Sequence, residues 1–298
     1  MEAINNSGQT VIQTYVICNG AVQGSNLTLV DSDGVTRTTI FVSGSLGCGP
    51  SVQPNGPGSL LNASGQVIGT VQGSGLITGP NATGATLFDT VAGDLQPRTV
   101  YPTGVNTAGQ VAGYELPTTG GYYRAFITDP NGANMREIGA VSSTVYMQYG
   151  YAINDSGQVV GIYDTTAGQQ GIFITGPNGT NARPLGAPGT TNNRPCAMNN
   201  AGQVVGQSDS GAFVTGPNGS GVTYLPSIAD QCGGYNISIN NAGQIAGISS
   251  VNYGHVVLLS PVTPTNSSSD GGDVPTLPQW AAILLGLLLI GSAALRRV

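Results

Sequence analysis

One short pattern occurs six times, in order, along the 298 residues: an apolar residue, Asn, two small or polar residues, Gly and Gln. The copies are Ala3–Gln9, Leu60–Gln66, Gly104–Gln110, Ala152–Gln158, Ala197–Gln203 and Ser238–Gln244. Their glycines are spaced by 57, 44, 48, 45 and 41 residues. A repeat of this period is one supersecondary unit that cannot bury its own apolar surface, so the units must stack on one another. Asn suits the first position of a type I turn, because its side chain bonds to the main chain two residues on. The Gly then takes the left-handed conformation that closes a hairpin with a G1 bulge. The pattern therefore predicts six hairpin tips: Asn5–Gly8, Asn62–Gly65, Asn106–Gly109, Asn154–Gly157, Asn199–Gly202 and Asn240–Gly243.

The segment after each tip is rich in β-branched residues, as in Gln158-Val-Val-Gly-Ile-Tyr163. A second glycine recurs within it, at Gly69, Gly113, Gly161, Gly206 and Gly247, with Ile12 in the first copy. Glycine weakens a strand unless something approaches closely, so these positions predict close approach of neighbouring units. A third strand follows (Arg124–Thr128, Gly171–Thr175, Gly211–Thr215), then a Pro-Asn-Gly turn at 130–132, 177–179 and 217–219, then a short fourth strand. Four strands in about 45 residues match one blade of a β-propeller. The expectation is an all-β propeller-like domain of about six four-stranded units over residues 1–262. A β-solenoid is the alternative, and a pair of β-sandwiches a third option. The sixth unit shows three clear strands before a Pro/Thr/Ser segment begins.

Composition closes off other answers. Forty-seven glycines and 18 prolines oppose long helices. Only 7% of residues are charged, against about a quarter in an ordinary soluble domain. Lysine is absent, and an acidic chain with eight arginines has no electrostatic footprint for nucleic acid. The single histidine, His255, excludes a histidine-rich metal site.

The Ile-Asn-x-(Ser/Ala)-Gly-Gln-Val-Val-Gly units and the Ala-Phe strands that follow resemble the HAF repeat of extracellular bacterial proteins. Ala125-Phe126 and Ala212-Phe213 keep the Ala-Phe pair, with Arg124 and Gly211 in the His position, while the last unit reads His255-Val256-Val257. The resemblance covers nearly all of residues 3–262. It implies a secreted β-rich repeat protein with no established catalytic activity, so it transfers no site residues, and no cofactor is expected.

After Val262 the composition changes. Residues 263–273 form a solvated Pro/Thr/Ser/Gly spacer, and residues 274–298 have a different character. Leu277–Leu295 is an uncharged stretch of 19 residues, about 28 Å as a helix and close to the ~30 Å hydrocarbon core. Pro278 suits a helix start, Trp280 an interfacial position, and Arg296-Arg297 a cytoplasmic end. One transmembrane helix is predicted, with the repeat domain outside the cytoplasm. Val274-Pro-Thr-Leu-Pro-Gln-Trp280, followed by the apolar span and the arginines, resembles the IPTL-CTERM sorting signal, with Val274 for Ile and Ala281 for Gly. That resemblance implies recognition through Val274, Pro275, Thr276, Leu277, Pro278, Trp280, Arg296 and Arg297 by an exosortase-type enzyme of a Gram-negative bacterium, then release to the cell surface or matrix. Met1–Asn6 has no basic or apolar export segment, so an upstream start is expected.

Four cysteines suit an oxidising compartment and allow three pairings. The local arrangement favours Cys18–Cys48 and Cys196–Cys232. Asp31-Ser-Asp-Gly34 lacks the later acidic ligand of a calcium loop and reads as a turn. Tyr122, Tyr123, Tyr146, Tyr149 and Tyr151 gather around the third and fourth units. They read either as cover between sheet faces or as a rim for sugar rings, with Tyr122 and Tyr123 as the candidate contacts. Glu115 and Glu137 are the carboxylates a hydrolase or lyase would use, though no spacing brings them together. The reading from sequence is a surface or matrix protein, structural or adhesive and not an enzyme. A carbohydrate-binding module is the alternative, and extracellular polysaccharide the partner.

Overall fold

The computed structural model describes residues 3–18, 21–40, 59–91, 97–186, 193–226, 237–250 and 255–261, together with Ile228 and Cys232. These residues form a six-bladed β-propeller. The first blade is β1 (Ala3–Ile4), β2 (Thr10–Cys18), β3 (Ala21–Val30) and β4 (Arg37–Ile40), paired in that order. The second is β5 (Ile68–Val71), β6 (Ser74–Ile77) and β7 (Thr86–Phe88), with a Leu61–Val67 bridge where its first strand would lie. The third is β8 (Arg98–Val105), β9 (Val111–Pro117), β10 (Arg124–Ile127) and β11 (Arg136–Glu137). The fourth is β12 (Val145–Ile153), β13 (Val159–Thr165), β14 (Gln170–Ile174) and β15 (Arg183–Pro184). The fifth is β16 (Arg194–Met198), β17 (Val204–Ser208), β18 (Gly211–Val214) and β19 (Thr223–Tyr224). The sixth is β20 (Ser238–Ile239), β21 (Ile245–Ile248) and β22 (Val256–Leu259). All the pairings are antiparallel, so each blade is a meander of local hairpins.

Every Asn-x-x-Gly segment is the expected hairpin tip. The glycine N–H donates to the Asn carbonyl in all six, at 2.9–3.1 Å. All six glycines are left-handed, with φ between 70° and 78°. The Asn Oδ1 accepts the main-chain N–H of the Gln at 2.9–3.0 Å, so the turn is closed from the inside by its own side chain. The Pro-Asn-Gly segments are single 3₁₀ turns in which the Asn is left-handed, a conformation Asn tolerates better than most residues. They dock on the hairpin of their own blade, as where Asn178 and Gly179 donate to the carbonyls of Ser156 and Gly157 at 3.1 and 2.9 Å.

The core lies between blades. Five apolar clusters span successive blade pairs, and each draws on both sheets. Val11 and Leu29 meet Val67 and Leu76, and Ile68 and Phe88 meet Val111 and Phe126. Ile127 meets Phe173, Ile174 meets Phe213, and Val214 meets Leu259. Phe126, Phe173 and Phe213, the phenylalanines of the third strands, are fully buried.

The recurrent strand glycines require a correction. At Gly113, Gly161 and Gly206 the atoms that an added Cβ would meet belong to the glycine's own blade. A Cβ at Gly161 would stand 1.8 Å from the carbonyl oxygen of Tyr149 and 2.6 Å from the Phe173 ring, and Gly113 and Gly206 meet the equivalent atoms. The cause is a bulge in the inner strand, at Pro102/Gly104, Gly150/Ala152 and Pro195/Ala197, which turns a carbonyl inward opposite the glycine. The phenylalanine paired across the strand then fills the space beside it. The expected approach between blades is present at one of them, Gly113, whose carbonyl oxygen would lie 2.6 Å from a Cβ on the inner-strand Gly150 of the fourth blade.

Among the described residues no helix is long and apolar enough to cross a membrane. The predicted span 277–295 and all the sorting-signal positions from Val274 to Arg297 lie outside the described residues, as does Cys48. Cys196 and Cys232 are joined in a disulfide.

Candidate functional site

The hairpin side chains link the blades in series. Asn5 Nδ2 donates to the Asn62 carbonyl at 3.0 Å, Asn62 to Asn106 at 2.9 Å, Asn106 to Asn154 at 3.1 Å, Asn154 to Asn199 at 3.2 Å and Asn199 to Asn240 at 3.0 Å. Each Nδ2 also donates to the Oε1 of its own Gln. That Gln in turn donates to the left-handed Asn of the next blade: Gln9 to Asn81, Gln66 to Asn131, Gln110 to Asn178 and Gln158 to Asn218, at 2.9–3.2 Å. A further link runs through Asp155, whose carboxylate accepts from the Thr107 N–H and hydroxyl and from Asn200 Nδ2. Burial raises the Asp155 pKa, but these hydrogen bonds outweigh it and hold the carboxyl below its ordinary value. Around the axis these residues line a small polar cavity of about 200 Å³, with Asn6, Thr107, Asp155 and Asn200 among its walls.

The opposite end of the molecule carries a different arrangement. There the β9–β10 loop of the third blade meets β12 of the fourth. Gly120 and Gly121, with φ of 97° and 143°, turn the loop, and Gln148 N–H donates to the Tyr123 carbonyl at 2.9 Å. Tyr123 packs among tyrosines, with ring centroids 4.9 Å from Tyr149, 5.5 Å from Tyr114 and 6.4 Å from Tyr101. Tyr101 stacks on Tyr114 at 4.9 Å. Burial, with mutual repulsion among the phenolates, pushes the Tyr114 and Tyr149 hydroxyls up to about 12. Tyr122, next in sequence, is 56% exposed. The side chain of Tyr146 lies outside the described residues.

Beside the tyrosines lies a cleft of about 440 Å³ lined by Tyr122, Tyr123, Arg124, Glu137, Val145 and Gln148 among others. Its charged wall is a chain of ion pairs. Glu137 Oε1 lies 2.6 Å from Arg124 Nη1 and 3.7 Å from Arg98 Nη1, and Arg98 Nη1 lies 3.0 Å from Glu115 Oε1. The Arg98 and Glu115 side chains are fully buried. Arg98 therefore brings Glu115 and Glu137 to one guanidinium, which the sequence did not suggest. This binds Glu115 into a neutralised interior pair and leaves only Glu137 at the cleft. Gln148 is 4% exposed, and among the described residues neither atom of its amide makes a hydrogen bond.

The structure thus divides the two tyrosines flagged by sequence. Tyr123 is part of the packing between two blades, and Tyr122 stands at the cleft mouth. Gln148 was missed because a polar residue between aromatic ones in a strand reads as an ordinary outward-facing position. His255 is exposed in blade six, and its carbonyl accepts from Ser249 N–H. Asp31–Gly34 is a turn in which Asp33 is engaged by Val35 and Thr36, while Asp31 accepts from Gln9. Among the described residues no group of His, Cys, Asp and Glu is placed to hold a metal ion.

No protein-family model and no curated protein matches the chain. Among solved structures it is similar to TolB from Acinetobacter baumannii at 14% identity and a TM-score of 0.48, over 85% of this chain and 61% of that one. It therefore spans about three fifths of that protein's length. It is similar to a chain of a nidogen/laminin complex at 11% identity and a TM-score of 0.47, over 85% of this chain and 89% of that one. Dipeptidyl peptidase 4 of Porphyromonas gingivalis matches at 13% identity and a TM-score of 0.43, over 76% and 34%. The propeller assignment rests on the six sheets themselves.

Proposed function

We propose that this chain is an exported cell-surface or extracellular-matrix repeat protein, structural or adhesive rather than catalytic, delivered through its C-terminal sorting signal. The observation that supports this most is the use made of the repeated polar residues. In the inner blades the recurring Asn and Gln side chains are hydrogen-bonded within the scaffold, so the repeated residues build the support and do not form a reaction centre. The order of short Pro-containing motif, apolar span and paired arginines at residues 274–298 supports membrane insertion and processing by an exosortase-type enzyme. Few charges and a buried Glu115 fit a hydroxyl- and amide-rich outer surface better than a hydrolase centre. Fractionation of the native host, with protease treatment of intact cells, tests the address. Repeat-domain peptides released from intact cells are the expected result, and protection until the cells are lysed would contradict it.

A second reading, a carbohydrate-binding module, is favoured by one feature, the exposed Tyr122 ring at the mouth of the cleft. Aromatic rings with a polar tip carry much of the contact area where a ligand has both apolar and polar faces.

A further inference from the structure

Gln148 is the one side chain at the cleft whose chemistry the fold leaves unanswered. It is nearly fully buried, yet among the described residues neither its amide oxygen nor its amide nitrogen has a hydrogen-bond partner. Burying an unsatisfied amide is costly, and the neighbouring blade shows what this chain does with an amide that serves only the scaffold. Asn106 and Gln110, at the opposite end, are fully engaged with each other and with the next blade. A buried amide with both of its atoms unanswered calls for an explanation, and a ligand that completes the bonding is one. Gln148 lines the cleft, which at about 440 Å³ falls within the ~300–1,000 Å³ of small-ligand sites.

The other walls define what that ligand is. The Tyr122 ring is exposed at the rim, and it offers a flat apolar surface. The charged groups, Arg124 and Glu137, are paired with each other at 2.6 Å, so neither an anionic nor a cationic ligand meets an uncompensated partner. A primary amide donates and accepts side by side, which matches two adjacent hydroxyls, each of which also donates and accepts. The Gln148 main-chain N–H is already joined to the Tyr123 carbonyl, so at this position the side-chain amide, and not the backbone, is what a ligand meets.

We propose that the cleft between the third and fourth blades is a binding site for one pyranose unit of a neutral polysaccharide, with Tyr122 under the apolar face of the ring and the Gln148 amide on a pair of neighbouring hydroxyls. Arg124 and Glu137, held to each other, bound the site and contribute donors and acceptors without net charge. The proposal rests on the carbohydrate-binding reading above and names the site and the chemical class it takes.

The test is isothermal titration of the full-length chain in a polyoxyethylene detergent, which has no sugar headgroup to compete. The probes are the neutral hexasaccharides of β-1,4-glucose, α-1,4-glucose, β-1,3-glucose, β-1,4-mannose and β-1,4-N-acetylglucosamine, with hexagalacturonate as the acidic comparison. At least one neutral hexasaccharide binds. Gln148→Leu and Tyr122→Ala each weaken it tenfold or more, while Tyr224→Ala, at an exposed tyrosine of the fifth blade, leaves it unchanged. Gln148→Leu also melts no lower than the parent, because it removes an unsatisfied buried amide, whereas a purely structural Gln148 would lower the melting temperature. If Gln148→Leu fails to fold, Tyr122→Ala, on an exposed side chain, still decides the matter. Neutral binding indifferent to both substitutions overturns this site and leaves the carbohydrate-binding reading standing. Binding of hexagalacturonate alone, or of no probe, overturns both.

Discussion

Asn106 donates its side-chain N–H to the main-chain oxygen of Asn154, 48 residues further on and one blade away, at 3.1 Å. The same amide donates to Gln110 Oε1, and its oxygen accepts the Gln110 N–H, both at 2.9 Å. One side chain thus closes its own hairpin and joins it to the next. Repeated from Asn5 to Asn199, that arrangement explains why an asparagine heads every unit. At Asn240 the Nδ2 donates to Gln244 Oε1 of its own hairpin, and among the described residues the series stops there.

This difference gives the first prediction. Asn106→Ala leaves the buried Gln110 N–H and Gln110 Oε1 without their partner and removes one of the two donors to the Asn154 carbonyl, and it destabilises the fold by roughly 2–3 kcal/mol. Asn240→Ala, at an exposed and terminal position, costs less than about 1 kcal/mol on the same scale. Urea denaturation of the two variants measures both, and equal losses would remove the inter-blade bond as the cause.

The buried ion pair gives the second. Glu115→Ala leaves Arg98 charged in a site with no solvent access, and it destabilises by about 3–5 kcal/mol. Replacing both partners, Arg98→Met with Glu115→Leu, costs less than either single change, since no charge is then left buried. Thermal melts of the three variants and the parent decide it.

Gly161→Ala tests the bulge geometry. The new methyl group would lie 1.8 Å from the Tyr149 carbonyl oxygen, and the inner strand must shift, at about 3 kcal/mol or more. Gly168→Ala, at a turn with open space around it but a left-handed φ of 75°, carries only the conformational penalty of about 1–2 kcal/mol. A melting-temperature loss for Gly161→Ala no larger than that for Gly168→Ala would contradict the account.

The tyrosine cluster makes stability fall at alkaline pH. Tyr114 and Tyr149 are raised to about 12 in the fold by burial and by neighbouring phenols, whereas an unfolded tyrosine ionises near pH 10. Below pH 10 both states hold the proton, and these groups add no pH dependence. Between about pH 10 and 12 the unfolded chain releases protons that the folded chain keeps, so stability declines as pH rises through that window. A late step in tyrosinate absorbance, lost in Tyr114→Phe with Tyr149→Phe, is the expected signature.

Much of this architecture is readable from local chemistry. Asn-x-x-Gly dictates its hairpin because the Asn side chain and the glycine conformation act within five residues, and the 45-residue period implies stacked sheets. What eluded the sequence depends on groups distant in the chain. The glycine at 161 suggested a neighbour but could not say which, since the approaching carbonyl comes from a bulge in the adjacent strand of the same blade. Arg98 joins Glu115 to Glu137 through side chains that carry no periodic signal. Gln148 differs from any surface glutamine only by what surrounds it, and that is set by the loop at Tyr123 from another blade.

The most direct test of the central claim is the intact mass and C-terminal peptide of the protein from its native host, in surface and membrane fractions analysed separately. Export and processing predict a surface form ending within or close to Val274–Trp280 and lacking Arg297. A single full-length species that keeps Arg296 and Arg297 in the membrane fraction, with none at the surface, would contradict the account.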